Sequence, residues 1–198
     1  MTIAESALRK VRWRLIPFLL LLYVIAYLDR VNVGFASLDM NRDLNFSAAV
    51  YGLGSGIFFL SYTLLEVPSN LMLARIGARL WIARIMFTWG ALSTAMIFVD
   101  SRARFYVIRF LLGAAEAGFF PGIILYLTQW FPQRERARAV GLFMTATAMA
   151  GVIGAPLSSA LLRMDGLWGL RGWQWLFIVE GVPAMLLVPL VLTYMTER

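Results

Sequence analysis

Tyr27-Leu28-Asp29-Arg30 places two opposite charges inside the first long apolar run of the chain, which resumes over residues 31–35. An ionised side chain in hydrocarbon costs roughly 3 kcal/mol on insertion scales, so such residues usually line a water-filled pathway or pair with each other. The alternative is that the two charges end a short span and lie among the lipid headgroups. A second pair, Arg109 and Glu116, interrupts the fourth apolar run in the same way, and this favours the pathway.

The composition indicates a protein whose solvent is the lipid bilayer. Of the 198 residues, 61% are hydrophobic and 15% are charged, whereas a soluble domain has roughly 45–50% and about 25%. The sequence has no cysteine and no histidine, which excludes disulfides and thiolate sites and removes the commonest general base and metal ligand. The net charge of +7 does not indicate a nucleic-acid partner, because the arginines form short clusters between apolar runs.

Six apolar segments are long enough to cross a membrane. A hydrocarbon core about 30 Å thick needs about 20 helical residues, and the connections between the segments contain the glycines, prolines and polar residues that end helices. The expected spans form one bundle over residues 1–198, and they are 15–38, 50–73, 81–99, 105–131, 139–162 and 175–194. We therefore predict an all-α membrane protein with six transmembrane helices.

The distribution of lysine and arginine predicts the orientation of these spans. The N-terminus, the second loop counted together with Arg84 at the start of the third span, the fourth loop and Arg198 carry eleven of these residues, whereas the other three loops carry five. Because the cytoplasmic loops of membrane proteins carry the excess of positive charge, we expect both termini in the cytoplasm. Three tryptophans then fall at the outer interface, where indole rings accumulate: Trp168, Trp173 and Trp175.

The same orientation brings the intramembrane charges to related depths. Asp29 and Arg30 lie just past the middle of the first span, Glu116 lies near the middle of the fourth, and Arg109 lies about 10 Å above Glu116. The first and fourth spans also lead two successive groups of three helices. Inverted triplets with polar interruptions at matching places are typical of transporters, so we predict two inverted three-helix repeats.

Helical spacing selects the neighbours of these charges. Tyr23, Tyr27 and Arg30 lie on one stripe of the first helix, and Tyr62 lies on a polar stripe of the second. Helix packing is the alternative explanation for such stripes, and Tyr23 is equally consistent with an interfacial anchor. Tyr27 and Tyr62 are closer to the charges, which favours a cavity. Because Glu116 lies two turns from Arg109, we expect Asp29 to be the ion-paired acid and Glu116 the acid that exchanges a proton.

Several motifs resemble the anion:cation symporter branch of the major facilitator superfamily. They cover nearly the whole chain: Leu28–Gly34, Glu66–Asn70, Arg109–Glu116, Trp130–Pro132 and Gly172–Trp175. The resemblance is strongest to bacterial permeases for tartrate, hydroxyphenylacetate, phthalate and sugar acids. It implies a multi-pass protein of the bacterial inner membrane that is not an enzyme, imports a small organic carboxylate together with a proton, and uses the proton gradient instead of a cofactor.

The resemblance also implies a role for seven residues. The residues that match Asp29 and Glu116 couple proton movement to transport. The arginines that match Arg30 and Arg109 bind the substrate carboxylate or pair with those acids, and the residues that match Tyr27, Tyr62 and Thr147 contact substrate. Thr147 stands where the family has a glutamine, so the recognition of sugar-acid hydroxyl groups departs from the family pattern here.

Members of this family have twelve spans in two halves and hold substrate between them. We expect this six-span chain to work with a second half or as a homodimer. The alternative is a truncated membrane protein that does not transport. An intramembrane hydrolase is disfavoured, because there is no histidine to activate a serine and Leu53 stands where a Gly-x-Ser-Gly motif needs glycine. The identity of the carboxylate and the choice between proton and sodium stay open.

Overall fold

The first helix, α1, runs from Ile3 to Asp43 and is longer than a bilayer requires. The computed structural model describes residues 3–196, and Arg198 lies outside them. The basic segment before the first span belongs to this same helix, because arginine and lysine are good helix formers. A turn with Asn45 in a left-handed conformation follows, and Ser47 caps the next helix by accepting a hydrogen bond from the Val50 backbone N–H at 3.3 Å.

The remaining elements are all helical in the described part of the chain. They are α2 (Ala48–Ile76), α3 (Ala78–Ala95), a 3-10 turn (Met96–Phe98), α4 (Arg102–Glu116), α5 (Phe119–Trp130), α6 (Gln133–Leu162), a 3-10 turn (Leu167–Gly169), α7 (Gly172–Leu186) and α8 (Val188–Tyr194). Within residues 3–196, six stretches are long and apolar enough to cross a membrane. The predicted all-α fold with six membrane-spanning helices is confirmed. α4 and α5 together form the fourth span, and α7 and α8 form the sixth.

The fourth span is broken immediately after Glu116, where the sequence predicted one continuous helix. Ala117 leaves the helical conformation with a ψ of 129°, and Gly118 adopts a left-handed φ of +85°. The Ser69 hydroxyl of α2 donates a hydrogen bond to the freed Ala117 carbonyl at 2.6 Å, which satisfies a polar group that hydrocarbon cannot. Glycine is required at position 118, because its φ strains other residues and a Cβ atom would collide with the Ser69 side chain.

The helices pack in pairs that fit two inverted repeats. The most extensive contacts join α1 to α6, α2 to α4, and α3 to α7. Numbered by span, these pairs are 1 with 5, 2 with 4, and 3 with 6. When span 1 is exchanged with span 4, span 2 with span 5 and span 3 with span 6, the pair 1–5 becomes the pair 4–2. The pair 3–6 becomes 6–3 and is unchanged. Two triplets related in this way form one bundle around an internal two-fold axis.

Two buried clusters hold the bundle together, one along most of its length and one at the end that carries the α6–α7 connection. The second cluster changes the expectation for the tryptophans. Trp168 is 84% exposed, whereas Trp173 and Trp175 are 2% and 7% exposed. Trp173 turns inward because its indole N–H donates a hydrogen bond to the Asp43 carboxylate at the end of α1, at 3.0 Å. Trp173 and Trp175 are thus buried in the bundle, and their depth at the outer interface stays a prediction.

The crossing of α2 and α4 provides a test of the packing. A Cβ atom at Gly113 would overlap the Phe58 carbonyl oxygen and the Ser61 hydroxyl. Gly113→Ala should therefore separate the helices and lower the free energy of unfolding by about 1–3 kcal/mol, measured by denaturation of the purified chain in detergent. Gly56→Ala is the matched control on α2, because nothing lies within 4 Å of its added Cβ. Equal losses in the two variants would contradict the close contact.

Candidate functional site

An ion pair joins the first span to the fourth. The Arg30 guanidinium donates a hydrogen bond to the Glu116 carboxylate, with Nη2 and Oε1 separated by 2.7 Å. The Glu116 side chain is 3% exposed, whereas that of Arg30 is 29% exposed. The acid is therefore enclosed by the bundle, and the arginine reaches it from a more open side.

This ion pair uses only part of the bonding capacity of each partner. Glu116 Oε2 and Arg30 Nε are both buried and lack a hydrogen-bond partner among the described residues. The strongest arginine–carboxylate pairs are bidentate, with two parallel N–H···O bonds. The pair here has a single bond, so Arg30 keeps donors for another anion and Glu116 keeps an oxygen for a proton.

Tyr62 supports Arg30 from α2. The guanidinium carbon lies 4.9 Å from the centroid of the Tyr62 ring, a distance at which the aromatic face attracts a cation. Arg30 is thus held by an acid on α4 and a ring on α2. A change in either contact alters how these two helices meet α1.

Asp29 points away from Arg30 and toward α3. It is 2% exposed and accepts hydrogen bonds from the Trp89 indole N–H at 3.0 Å and the Ser93 hydroxyl at 2.5 Å. Adjacent residues on a helix differ by about 100° in direction, so Asp29 and Arg30 contact different neighbours. The ion pair expected for Asp29 is therefore replaced by two neutral donors, and Glu116 is the acid that pairs with Arg30.

Arg109 is a buried cation whose contacts are weaker. It is 5% exposed, its Nε donates a long hydrogen bond of 3.4 Å to the Gly54 carbonyl, and its guanidinium carbon lies 4.5 Å from the Phe58 ring centroid. Within residues 3–196 it has no salt bridge within 4.0 Å. No carboxylate in this part of the chain lies close enough to form a salt bridge with Arg109, so its guanidinium N–H groups are available to donate hydrogen bonds to an anion.

Both arginines open onto one cavity of about 110 Å³ between α1, α2 and α4. Its lining combines two cations, one acid, two hydroxyl groups and apolar side chains: Asp29, Arg30, Val33, Tyr51, Ser55, Phe58, Phe59 and Arg109. In the described part of the chain, no group of three or more acidic residues is arranged to hold a metal ion. The cavity suits a small anion that carries hydroxyl groups.

The structure brings together five of the seven residues singled out in the sequence: Asp29, Arg30, Tyr62, Arg109 and Glu116. Asp29, Arg30 and Arg109 line the cavity, and Tyr62 and Glu116 contact Arg30. Tyr27 and Thr147 do not line the cavity. Tyr27 packs against the buried core with its ring centroid 6.0 Å from that of Tyr23. The Thr147 hydroxyl donates to the Met144 carbonyl of its own helix at 2.8 Å. Substrate contact by Tyr27 and Thr147 stays a prediction.

Four further residues of this site were missed in the sequence. Trp89 and Ser93 hold Asp29, and their spacing of four on α3 is the signal that places them on one face. Tyr51 lines the cavity one turn before Ser55, so extending the polar stripe of α2 by one turn would have found it. Phe58 stacks on Arg109, a contact that no periodicity reveals, because it depends on how α2 and α4 cross.

Comparisons with known proteins agree with this fold. A family model described as the Major Facilitator Superfamily matches residues 19–198. A putative tartrate transporter of Agrobacterium vitis is 58% identical over 191 residues, which cover 96% of this chain and 42% of that protein. The putative metabolite transport protein NicT of Pseudomonas putida is 57% identical over 179 residues, and these cover 90% of this chain and 41% of that protein.

A third relative and a solved structure extend the comparison. The inner membrane transport protein RhmT of Escherichia coli is 50% identical over 181 residues, which cover 91% of this chain and 42% of that protein. The crystal structure of a bacterial homolog of the human lysosomal transporter Spinster, inward-facing and occupied, superposes with a TM-score of 0.81 at 23% identity. It covers 90% of this chain and 43% of that one, and it shows the fold alone. The chain thus spans somewhat less than half the length of these relatives.

The ion pair of the site can be measured by a double-mutant cycle. Arg30→Gln leaves the Glu116 carboxylate buried and unpaired, and the loss of one partner of a buried pair costs about 3–5 kcal/mol of unfolding free energy. The double variant Arg30→Gln, Glu116→Gln should recover much of that loss. The exposed pair Asp100–Arg104 is the control, with a coupling energy of about 0–1 kcal/mol. A central coupling energy no larger than that of the control would contradict the pair.

Proposed function

Since the chain belongs to the major facilitator superfamily, we propose that it forms the N-terminal half of a proton-coupled importer of small organic carboxylates. Six membrane-spanning helices, the family match and the coverage of its relatives support membrane transport. The coupling mechanism is argued from the Arg30–Glu116 ion pair, which has a single hydrogen bond and leaves Arg30 Nε and Glu116 Oε2 without partners among the described residues. The charge distribution of the loops supports an inner membrane location with both termini in the cytoplasm.

Two arginines on one cavity support a carboxylate as the substrate. The guanidinium fork gives parallel charge-assisted hydrogen bonds to a carboxylate, and Arg109 has no competing salt bridge in the described part of the chain. We assign the first substrate carboxylate to Arg109. The hydroxyls of Tyr51 and Ser55, on the same cavity, then bind substrate hydroxyl groups. Two of the similar proteins are named as putative tartrate transporters, and tartrate is a hydroxylated dicarboxylate of this kind.

The coupling step exchanges the partner of Arg30. A substrate carboxylate that reaches the cavity takes up the free donors of Arg30 and replaces its single bond to Glu116. Glu116 is then buried without a cation, so it takes up a proton from the outside water on its open Oε2. Release of substrate inside returns Arg30 to Glu116 and expels the proton. One proton thereby moves with each anion, and the downhill proton drives the uphill anion.

Asp29 contributes the second acid of the site. Its two neutral donors, Trp89 and Ser93, fix the carboxylate between α1 and α3. Its charge balances Arg109 while the cavity holds no substrate. We retain a role for Asp29 in proton coupling, secondary to that of Glu116, because its contacts are fixed by the fold whereas the partner of Glu116 is exchangeable.

A second six-helix half completes the site in this proposal. α2 and α6 are the spans least covered by the rest of the bundle, and both expose large apolar side chains, among them Leu53, Phe59, Leu60, Met149, Val152 and Ile153. The second half packs against these faces and closes the cavity. An even number of spans gives both halves the same orientation, so a second copy of the chain satisfies the same geometry.

Arg30→Lys tests the exchange of partners. Lysine is a point charge on a flexible stem and cannot hold Glu116 and a carboxylate in one planar arrangement. In a complete transporter that carries this half, uptake of tartrate into proteoliposomes should fall at least tenfold while the variant still inserts. Arg102→Lys, at the exposed start of α4, is the matched control and should keep full uptake. Normal uptake by Arg30→Lys would remove this residue from the binding role.

Glu116→Gln separates binding from coupling. The amide cannot exchange a proton, so accumulation of substrate against its gradient should fail in the complete transporter. Counterflow between labelled and unlabelled substrate should survive, because it needs no net proton movement. Glu66→Gln, an acid of α2 that forms no salt bridge with Arg30 or Arg109, should leave both activities intact. Proton-driven accumulation by Glu116→Gln would show that another group couples the proton.

A further inference from the structure

A second cavity lies on the flank of the bundle, between α2, α3 and α4. Its volume is about 230 Å³, and its lining is apolar apart from one serine and one arginine: Leu65, Pro68, Ser69, Met72, Trp81, Arg84 and Ala114. It shares no lining residue with the central cavity. Neither the proton-coupling mechanism nor the binding of substrate uses it.

Arg84 is the only charged residue of this flank groove, and its charge is not neutralised. Its guanidinium carbon lies 4.1 Å from the Trp81 ring centroid, and its Nε is buried without a hydrogen-bond partner. Within residues 3–196 it makes no salt bridge within 4.0 Å. A cation at membrane depth normally has a partner that offsets its desolvation. Among the described residues, Arg84 contacts the Trp81 ring and no carboxylate.

The groove is rigid on the side that faces Arg84. The Trp81 indole N–H donates to the Ser69 hydroxyl at 3.0 Å, and that hydroxyl donates to the Ala117 carbonyl at the break between α4 and α5. The Trp81 ring is thus fixed by a chain of hydrogen bonds across three helices. A guanidinium that rests on a fixed ring is already oriented for an incoming anion, so less entropy is lost on binding.

The position of Arg84 along α3 matches the depth of a phospholipid phosphate. It lies seven residues after Gly77, where the α2–α3 turn ends, and this places it about 10 Å along the helix with its side chain able to extend back toward the headgroups. Arg75 and Arg79 flank the turn and add positive potential there. The apolar part of the groove is formed by Leu65, Pro68 and Met72 of α2, on a different side of the helix from the Leu53 and Leu60 face.

We propose that the flank groove binds one anionic phospholipid. The lipid phosphate accepts hydrogen bonds from Arg84, and one acyl chain lies along Leu65, Pro68 and Met72. A lipid fits the groove better than free phosphate does, because five of the seven lining residues are apolar, the exceptions being Ser69 and Arg84. The bound headgroup then supports the Ser69–Ala117 contact through Trp81.

Native mass spectrometry of the purified chain in detergent tests this site. The probes are palmitoyl-oleoyl phosphatidylglycerol and palmitoyl-oleoyl phosphatidylcholine, which have the same acyl chains and differ in net charge. The wild-type chain should retain one phosphatidylglycerol at least tenfold more strongly than phosphatidylcholine, the size expected for a charge-assisted hydrogen bond. Equal retention of the two lipids would overturn the proposal.

Three variants locate the bound lipid. Arg84→Gln should abolish the preference for phosphatidylglycerol, whereas Arg79→Gln, an exposed arginine at the same end of α3, should retain it. Ala114→Leu keeps Arg84 but fills the groove, so it should also weaken the retention of phosphatidylglycerol at least tenfold. Far-ultraviolet circular dichroism confirms that each variant is folded. A preference that survives both Arg84→Gln and Ala114→Leu would overturn the proposal and assign the binding to surface charge.

Discussion

The Arg30–Glu116 ion pair is the interaction on which the rest of the site depends. A carboxylate enclosed in a helical bundle is costly unless a cation accompanies it, and here that cation comes from another span through a single hydrogen bond. The pair therefore ties α1 to α4 and leaves both partners incompletely bonded. An anion and a proton are the two species that complete them. Structural cohesion and the proposed coupling of proton to substrate rest on the same contact.

The break in the fourth span determines the position of the Glu116 carboxylate, and therefore where the Arg30–Glu116 ion pair forms. Glu116 is the last residue of α4, and the chain turns through Gly118 before α5 begins. The Ser69 hydroxyl holds the break, and Trp81 holds Ser69, so three helices determine the position of the acid. Arg84, stacked on Trp81, extends this set of contacts to the flank groove. The centre of the bundle and its flank are thus joined by Glu116, Ser69, Trp81 and Arg84 and by the buried Ala117 carbonyl group.

The sequence was sufficient for the spans and the charged residues because the bilayer constrains both strongly. Hydrocarbon requires about 20 apolar residues for each span, and charges within such runs are too costly to be incidental. Side-chain directions were not accessible in this way. Asp29 and Arg30 are adjacent, and only the rotation of α1 against α3 and α4 decides which of them meets Glu116. The break at Ala117 depends on Ser69, which lies 48 residues earlier, and no local pattern reveals it.

The most direct test of the exchange between anion and proton is to count protons taken up when substrate binds. Tartrate is added to a complete, detergent-solubilised transporter that carries this half, in weakly buffered solution at pH 8, and a pH-indicator dye reports the change. About one proton should be taken up for each tartrate bound, and none in the Glu116→Gln variant, which should still bind tartrate. Tartrate binding by the wild-type protein without proton uptake would contradict the exchange.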